Sequence, residues 1–260
     1  MSNPRISIIM PCYKAEETID YSLKGILNQT YQNWELLLII DGSNDRLLYK
    51  VKSSSQNDDR IKIIYSRKNR GVVRTRNIGI RLSTGSWLAF CDADDHWLPH
   101  KLQDQLLKAK EENASIICSA FCFYYLGSER LDLIQTKKKI DYSVMLKTNA
   151  IPMSTAILKV DAYGKHYFPV IPPNFVHEDY AFWLTILQKK SMKIVYISEV
   201  STYILNAERS RSSNKLVSAK SHAYVLSNFT TLPKYKIALL MVSYIYNAIQ
   251  KRYSNRLTLK

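Results

Sequence analysis

The sequence predicts an α/β fold with a mostly parallel central sheet and helices on both of its faces, and three observations support this. Four short apolar runs recur in the first hundred residues, and a segment that can form a helix follows each of them. The runs are apolar almost throughout, as strands covered on both faces are. Their connections are short, which is typical of a parallel sheet with right-handed crossovers.

Strands and helices are predicted to alternate through the first half of the chain. The strands lie at residues 6–10, 34–40, 61–65 and 87–91, and the helices at 16–29, at 46–56, after Gly71 and from Pro99 onward. The second half has a strand or strand pair at 114–125, a polar loop or hairpin at 126–139, a strand at 153–160 and a proline-rich passage at 169–173, which we expect to be a flexible loop. Helices at 215–229 and 234–252 end the chain.

The composition limits the class of protein. The 260 residues suffice for one large domain, or for one domain with an appendage. A content of 46% hydrophobic and 23% charged residues is that of a globular protein and excludes a disordered chain. The net charge of +15 and the pI near 9.5 indicate an anionic partner, which is nucleic acid, a membrane surface or a phosphorylated substrate.

Several features predict a cytoplasmic protein. The four cysteines, Cys12, Cys91, Cys118 and Cys122, form no CxxC pair and lie in or beside apolar runs, so we expect buried free thiols in a reducing compartment. The amino terminus lacks the pattern of a signal peptide. No apolar run reaches the roughly 18–20 residues that a membrane-spanning helix needs.

The run at 87–91 ends in three carboxylates within four residues, Asp92, Asp94 and Asp95. Like charges this close require water or a cation around them. Mg²⁺ is a natural partner, because it typically uses one or two carboxylates together with substrate phosphates. A solvated acidic turn that caps the following helix explains the same spacing, and the residues alone leave both interpretations open.

Polar or turn residues also follow the runs that end at Met10 and Ile40. If the strands are parallel, all three ends meet at one edge of the sheet, where ligands of open α/β sheets bind. Asp41 could then accept hydrogen bonds from a base, Tyr13 could stack on it, and Arg76 could meet a phosphate. Taken singly, each of these residues is equally explained as a turn residue or a surface ion pair.

Five motifs occur in an order that resembles glycosyltransferase family 2. They are Met-Pro-Cys-Tyr-Lys-Ala-Glu at 10–16, Leu-Asn-Gln-Thr-Tyr-Gln-Asn-Trp-Glu at 27–35, Asp-Gly-Ser at 41–43, the segment from Gly71 through Arg-Asn-Ile-Gly at 76–79, and Asp-Ala-Asp-Asp-His-Trp at 92–97. The resemblance implies a nucleotide-sugar transferase of the GT-A (Rossmann-like) fold, of the kind that builds bacterial surface polysaccharide or lipopolysaccharide.

The resemblance also implies roles for single residues at the nucleotide. Asp41 matches the acid that reads the base, usually uracil, and Pro11 and Tyr13 match residues that line the nucleoside. Arg76 matches a basic residue near the base and diphosphate. Ile40 departs from the family, which often has an acid there as well.

In the acidic motif, the resemblance places Asp92 near the ribose and makes Asp94 the ligand of a divalent metal, Mn²⁺ or Mg²⁺. Asp95 is the acid that follows, without an assigned role.

Glu178 and Asp179 open an amphipathic segment after His177. Acids at the start of a helix are favourable in themselves. The family, however, carries an acidic pair before an aromatic residue at this point, and its Asp is the usual catalytic base. The resemblance thus implies that Asp179 is the general base and Glu178 a supporting acid or acceptor-binding group, whereas a lone loop histidine such as His177 is more often structural.

The predicted organisation is a catalytic domain at 1–206, with a nucleotide-binding half (1–112) and an acceptor-binding half (113–206), followed by a basic helical extension at 207–260. Residues 201–260 carry ten Lys or Arg against one acid, a net charge of +9. Their second helix either lies on an anionic membrane surface or packs with a solvated basic face, and both interpretations stay open. The segment 209–214 is a further place where phosphate contacts could form.

The predicted function is that of an inverting, metal-dependent hexosyl- or N-acetylhexosaminyltransferase. It moves a sugar from a nucleotide donor, UDP in the family's usual case, to a hydroxyl of a glycan or lipid-linked acceptor. Three alternatives are a transferase of the same fold acting on a polyprenyl phosphate, a basic nucleic-acid-binding module, and a metal-dependent hydrolase. Acids clustered at strand ends disfavour the nucleic-acid module, and the lack of a His-rich metal set disfavours the hydrolase.

Overall fold

A computed structural model describes residues 3–42, 45–55, 57–135, 139–160, 164–188, 192–206 and 214–257, with side chains left undescribed at 45 and 247–257. The chain divides into two compact units. The first comprises Met1–Lys139, Ile151–Phe168 and Met192–Ala207, and the second comprises Ile140–Ala150, Pro169–Ser191 and Glu208–Lys260. The sequence predicted a boundary at residue 206. In the structure, the acidic pair at 178–179 belongs to the same unit as the C-terminal helices.

The first unit contains the central sheet and four helices. Its elements are β1 (Ile6–Cys12), α1 (Ile19–Leu27), β2 (Trp34–Asp41), α2 (Asp45–Ser54), β3 (Ile61–Ser66), α3 (Val72–Leu82), β4 (Trp87–Phe90), β5 (His96–Trp97), α4 (Lys101–Glu112), β6 (Ile116–Tyr124), β7 (Leu131–Ile134), β8 (Ala156–Lys159) and β9 (Ile194–Leu205). The predicted strands and helices of the first half are confirmed. The stretch at 126–139 contains β7, which pairs back on β6, and residues 136–138 lie outside the described part.

Among the described residues the strands form one sheet in the order β3-β2-β1-β4-β8-β6-β9-β5, with β7 paired to β6. The pairs β1/β2, β2/β3, β1/β4 and β6/β9 are parallel, and the pairs β4/β8, β6/β8, β6/β7 and β5/β9 are antiparallel. The predicted parallel sheet is therefore correct for its first half, and antiparallel strands extend it on the β4 side.

The central strands are buried on both faces. Ile8, Leu36 and Leu38 pack into a core that also contains apolar residues of α1, α2 and α4. On the opposite face α3 lies so close that a side chain at Gly79 would clash with Ile9. Strands between two helical layers need apolar side chains on both faces, which explains why these strands are mostly apolar.

All four cysteines are buried free thiols, as predicted. Burial raises the pKa of the Cys12 thiol to about 12, with Glu16 and Asp94 adding to the shift. Such thiols are protonated and unreactive near neutral pH.

The second unit contains four described helices, α5 (Tyr142–Lys147), α6 (Glu178–Leu187), α7 (Lys215–Phe229) and α8 (Lys234–Leu257). Both C-terminal helices were predicted, and α5 was not. Among the described residues, no helix combines the length and the apolar character needed to cross a bilayer. The segments at 161–163, 189–191 and 207–213, including most of the predicted phosphate-contact segment, lie outside the described residues.

Candidate active site

Three strand ends meet at the carboxyl-terminal edge of the sheet. The parallel pairing of β1 with β2 on one side and with β4 on the other makes these strands neighbours that point the same way. Tyr13, Asp41 and Asp92 therefore leave the sheet at one edge, as the sequence predicted. Tyr13 is 46% exposed, and the Lys14 ammonium lies 5.4 Å from its ring centroid.

The acidic loop, which we define as residues 92–95, is fixed by hydrogen bonds from two other elements. The hydroxyl of Thr18 donates to the Ala93 carbonyl at 2.9 Å, and the phenol of Tyr124, from β6, donates to the Asp94 carbonyl at 2.6 Å. Both donors bind the backbone of the loop. The carboxylate of Asp94 is consequently positioned without its oxygens being used by these donors.

Ser154 ties the two outer acids of the loop together, and nothing in the sequence predicted this. Its hydroxyl oxygen accepts the Asp92 backbone N–H at 3.1 Å, and the hydroxyl donates to the Asp95 carboxylate. Its carbonyl accepts the indole N–H of Trp97 at 2.9 Å. Ser154 lies in a 3₁₀ turn (Met153–Thr155) before β8, so the antiparallel part of the sheet supports the acidic loop.

Arg76 places a positive charge in direct contact with the acidic loop. Its guanidinium donates to Asp92 Oδ1 at 2.6 Å and lies 5.2 Å from the ring centroid of Phe168. Arg76 is only 4% exposed, although Asp92 remains more accessible. This pair holds positive charge beside the acids at the carboxyl-terminal edge of the sheet.

The charge on the acidic loop is only partly compensated. Burial, together with the neighbouring Asp92 carboxylate, raises the pKa of Asp94 to about 6, although Arg76 acts in the opposite direction. Burial and the charges of Asp94 and Asp92 also raise the pKa of Asp95 well above its usual range. Asp95 accepts the Leu205 backbone N–H at 3.2 Å, so it is used in supporting the loop. Strongly perturbed carboxyls of this kind cluster at functional sites.

Asp41 lies at the carboxyl-terminal edge of the sheet, and its carboxylate also holds the loop that precedes α3. Its carboxylate accepts the backbone N–H groups of Arg70 at 2.9 Å and of Gly71 at 2.8 Å. The loop approaches so closely that a Cβ at Gly42, whose φ is +73°, would lie 2.3 Å from the Asn69 nitrogen. A carboxylate offers about four lone-pair positions. Its bonds to the loop therefore leave little accepting capacity for a base, and base reading by Asp41 stays a prediction.

The acidic pair Glu178–Asp179 opens α6 in the second unit. His177, which precedes it, has a left-handed backbone (φ 77°), and its Nε2 is 2.8 Å from the Ser218 hydroxyl of α7. Asp179 accepts the Asn149 side-chain amide at 2.7 Å through Oδ2, and Glu178 is buried. The histidine thus links the start of α6 to α7.

A stack of three rings joins α6, α7 and α8. The ring centroid of His222 lies 4.7 Å from that of Tyr180 and 4.2 Å from that of Tyr244. Burial, together with His177, lowers the pKa of His222 to about 4, and its Nε2 is buried with no hydrogen-bond partner in the described part of the chain. The stack explains why the start of α6 clusters with the C-terminal helices.

Comparison with known proteins identifies the class of protein to which the chain belongs. The family model described as "Glycosyl transferase family 2" matches residues 7–167, and the chain belongs to this family. It is a glycosyltransferase.

One relative and two solved structures illustrate the similarity to known glycosyltransferases. The chain is 33% identical over 252 residues, covering 96% of both chains, to the Escherichia coli UDP-Glc:alpha-D-GlcNAc-diphosphoundecaprenol beta-1,3-glucosyltransferase WfgD. The structure of the present chain resembles that of S. aureus TarS 1-349 in complex with UDP-GlcNAc. The TM-score is 0.71, with 18% sequence identity, and the match covers 93% of this chain and 71% of TarS 1-349. The structure also resembles the Pyrobaculum calidifontis mannosyltransferase PcManGT in complex with GDP-Man and Mn²⁺, with a TM-score of 0.64 and 15% identity over 94% and 70%. The fold is GT-A, as the sequence resemblance implied.

Proposed function

We propose that the chain transfers a hexose or N-acetylhexosamine from a UDP-sugar to a hydroxyl of a lipid-linked saccharide during synthesis of a surface polysaccharide. The acidic loop carries the proposal, since carboxylates at the ligand-binding edge of the sheet suit a divalent cation, and such a cation would in turn bind the phosphates of a nucleoside diphosphate. The relative WfgD, whose name gives a UDP-sugar donor and a diphosphoundecaprenol-linked acceptor, supports the choice of substrates.

In the proposed donor complex, Tyr13 and Pro11 line the nucleoside, and Asp41 uses its remaining accepting capacity for the base. Asp92 lies near the ribose. Arg76 stands beside Asp92 and supplies positive charge for the base and diphosphate region.

The residues of the acidic loop fit a divalent metal. No group of three or more His, Cys, Asp or Glu among the described residues is arranged to hold one. Mg²⁺, however, commonly uses only one or two carboxylates and takes further ligands from substrate phosphates. Asp94 lies beside the Asp92 carboxylate, and burial together with that charge raises its pKa, so a bound cation would stabilise its ionised form. We propose that Asp94 holds the metal, Mn²⁺ or Mg²⁺, which when bound would neutralise charge on the diphosphate.

The proposed chemistry is a single displacement. Asp179 accepts the proton of the acceptor hydroxyl, the oxygen forms a bond to the anomeric carbon, and the bond from that carbon to the UDP oxygen breaks with its electron pair leaving on UDP. One displacement inverts the anomeric configuration. Glu178 supports this step as a second acid or as an acceptor-binding group.

Asp179→Asn should lower kcat by about 10²- to 10⁴-fold, the usual contribution of a general base, with little change in donor binding. The check is steady-state turnover of the variant together with UDP-sugar binding by calorimetry. Unchanged turnover would remove Asp179 from the mechanism.

We also propose that α8 lies on the inner face of the plasma membrane. Tyr235, Leu239, Val242 and Tyr246 are exposed, and their spacing places them along one face of the helix. Lys234 and Lys236 flank this stripe and are exposed too. An apolar stripe between basic residues fits anionic lipid, where each Lys near the surface is worth about 1 kcal/mol.

Vesicle sedimentation tests the α8 proposal. The protein should bind vesicles containing anionic phospholipid more tightly than neutral ones, and Leu239→Glu with Val242→Glu should abolish the difference. Leu131→Glu, at an exposed apolar position on β7, serves as the matched control. Equal binding by the α8 variant and the control would overturn the proposal.

A thermal-shift screen of nucleotides and UDP-sugars with Mn²⁺ or Mg²⁺ tests the function as a whole. A ligand at 100 times its Kd should stabilise the protein by about 2.7 kcal/mol. We expect metal-dependent stabilisation by a uridine nucleotide, lost in Asp94→Ala. No shift with any nucleotide would contradict the transferase assignment, and a shift without metal would contradict the metal site alone.

A further inference from the structure

Asn149 contacts the candidate base in a way that fixes the orientation of both side chains. Its Nδ2 donates to Asp179 Oδ2 at 2.7 Å. An ionised carboxylate can only accept hydrogen bonds, so the amide nitrogen and not the amide oxygen must face Asp179. The other oxygen, Oδ1, accepts the backbone N–H of Tyr180 at 2.8 Å. Asp179 is thus held through both carboxylate oxygens.

The segment that carries Asn149 is itself anchored within the second unit. It follows α5, whose Asp141 caps the helix by accepting the Val144 N–H at 3.0 Å. The phenol of Tyr180 donates to the Leu146 carbonyl at 3.3 Å, and Met145 is fully buried. Since Tyr180 directly follows Asp179, the same residue of α6 fixes both the base and the turn before Asn149.

The orientation of the amide leaves its oxygen unused. Asn149 Oδ1 is buried and has no hydrogen-bond partner in the described part of the chain. Buried polar atoms are paired in the large majority of cases, and an exception requires an explanation. A ligand that brings a hydrogen-bond donor next to Asp179 explains this one.

We infer that Asn149 is a positioning residue for Asp179 and that its Oδ1 binds the acceptor sugar. The inference rests on the proposed role of Asp179 as base. The acceptor it selects is a sugar with a second hydrogen-bond donor, a hydroxyl or an acetamido N–H, beside the attacking hydroxyl. That donor reaches Asn149 Oδ1 while the attacking hydroxyl reaches Asp179, so one side chain aligns the base and the substrate together.

The contact itself is tested without substrate, on the full chain, by NMR of the side-chain amide. In the wild type the Asn149 amide resonances should move with pH as Asp179 ionises, and Asp179→Asn should abolish this movement. Asn228, an exposed residue of α7 whose Nδ2 donates to the Tyr224 carbonyl, is the internal reference, because its partner is a backbone carbonyl that does not titrate. A resonance of Asn149 unaffected by Asp179→Asn would overturn the inference.

Kinetics test the role, with UDP-glucose and GlcNAc-diphosphoundecaprenol as substrates. Asn149→Ala should raise the acceptor KM at least five-fold with an unchanged donor KM, and should move the acid limb of the pH–rate profile to higher pH. Asn149→Asp should move that limb further, because a second carboxylate beside Asp179 disfavours its ionisation. Asn228→Ala should leave all three quantities unchanged.

A purely structural role would scale the rate equally at every pH and leave the acceptor KM unaltered, and either unmoved readout would overturn the inference. The failures are distinguishable. Full turnover in Asp179→Asn removes the base from the proposed function. Loss of turnover there, with an unmoved profile in Asn149→Ala, overturns the role of Asn149 alone. If the wild type does not use this substrate pair, the proposed substrates are wrong, and the amide titration still decides the contact.

Discussion

Glu35, near the start of β2, and Asp94, beyond the end of β4, are acids at opposite edges of the same sheet. Glu35 is fully buried and accepts from Ser7 at 2.7 Å, from Lys62 at 2.9 Å and from both the backbone N–H and the hydroxyl of Thr84 at 2.7 Å. Burial alone would disfavour its ionisation. The bonds from Lys62, Ser7 and Thr84 outweigh burial and lower the pKa of Glu35 to about 2.

Asp94 is in the opposite situation. Thr18 and Tyr124 donate to backbone carbonyls of the acidic loop, and although its own backbone N–H donates to the Asp94 carboxylate, burial and the Asp92 charge raise the pKa of Asp94 to about 6. A carboxylate that the protein supplies with several donors is held ionised, as Glu35 is, whereas burial beside a second carboxylate disfavours ionisation, as at Asp94. We therefore expect Glu35 to contribute to stability, and we propose that Asp94 contributes to binding.

Asp94→Asn gives the largest expected effect and tests the binding edge. Metal-dependent turnover should fall at least about 100-fold, as the loss of a single electrostatic stabiliser commonly causes. The unliganded protein should become more stable by about 1 kcal/mol, because a poorly compensated charge is removed. Turnover assays and urea unfolding at pH 7 measure the two effects. A loss of stability in Asp94→Asn would contradict the proposed difference between Asp94 and Glu35.

Glu35→Gln should have the reverse pattern. We expect a loss of about 3 kcal/mol in the free energy of unfolding, since the charge-assisted bonds from Lys62 and Arg5 are lost. The nucleotide Kd should stay unchanged. Because the folded pKa of Glu35 is depressed, its contribution is present above about pH 4.5 and is lost as the pH falls towards 2. Urea unfolding across this range checks the window, which should be absent in the variant.

His222 shows that a shifted pKa alone does not mark a binding site. Its folded pKa of about 4 lies below the unfolded value near 6.5, so the unfolded state binds more protons as the pH falls. Stability should therefore be complete above pH 6.5 and should drop by about 2 kcal/mol between pH 7 and pH 5, since one pKa unit corresponds to about 1.4 kcal/mol. His222→Phe, which keeps an aromatic ring between Tyr180 and Tyr244, should remove this dependence. Unfolding midpoints at pH 7 and 5 measure it, and equal slopes in both proteins would contradict the assignment.

Two buried serines offer the smallest and most closely matched test. Ser7 donates to Glu35 at one edge, and Ser154 joins Asp92 to Asp95 at the other. Each Ser→Ala change should cost about 1 kcal/mol of stability, the usual net value of a buried hydrogen bond. Only Ser154→Ala should also weaken nucleotide binding, measured by calorimetry. Equal nucleotide affinity in both variants would show that Ser154 does not position the acidic loop.

The first half of the fold could be predicted because its signals are local. Six of the eight residues in the run Trp34–Asp41 are apolar, and Asp41 with Gly42 ends it with turn chemistry. The second half carried weaker signals. Strand β5 has only two residues. Strand β9 pairs with β6, and the register of this pair shifts on either side of Ala120. Neither strand therefore shows the periodicity of a regular strand.

The candidate site divides in the same way. The acids at 92–95 and 178–179 and the arginine at 76 stand out in the sequence by type and spacing. Their supports do not, because Ser154, Tyr124 and Asn149 are ordinary residues at positions without a motif. Each reaches its partner across at least 30 residues of chain, and no local pattern encodes such a contact.

The alternation of strands and helices, the edge at which the acids gather and the family of the chain could all be predicted from the sequence. These follow from apolar periodicity and from residue types at short spacing, which are properties of neighbouring residues. Which carboxylates receive many donors and which receive few became known from the folded structure. The ionisation of a buried acid depends on the donors and charges that folding brings to it, and those come from distant parts of the chain.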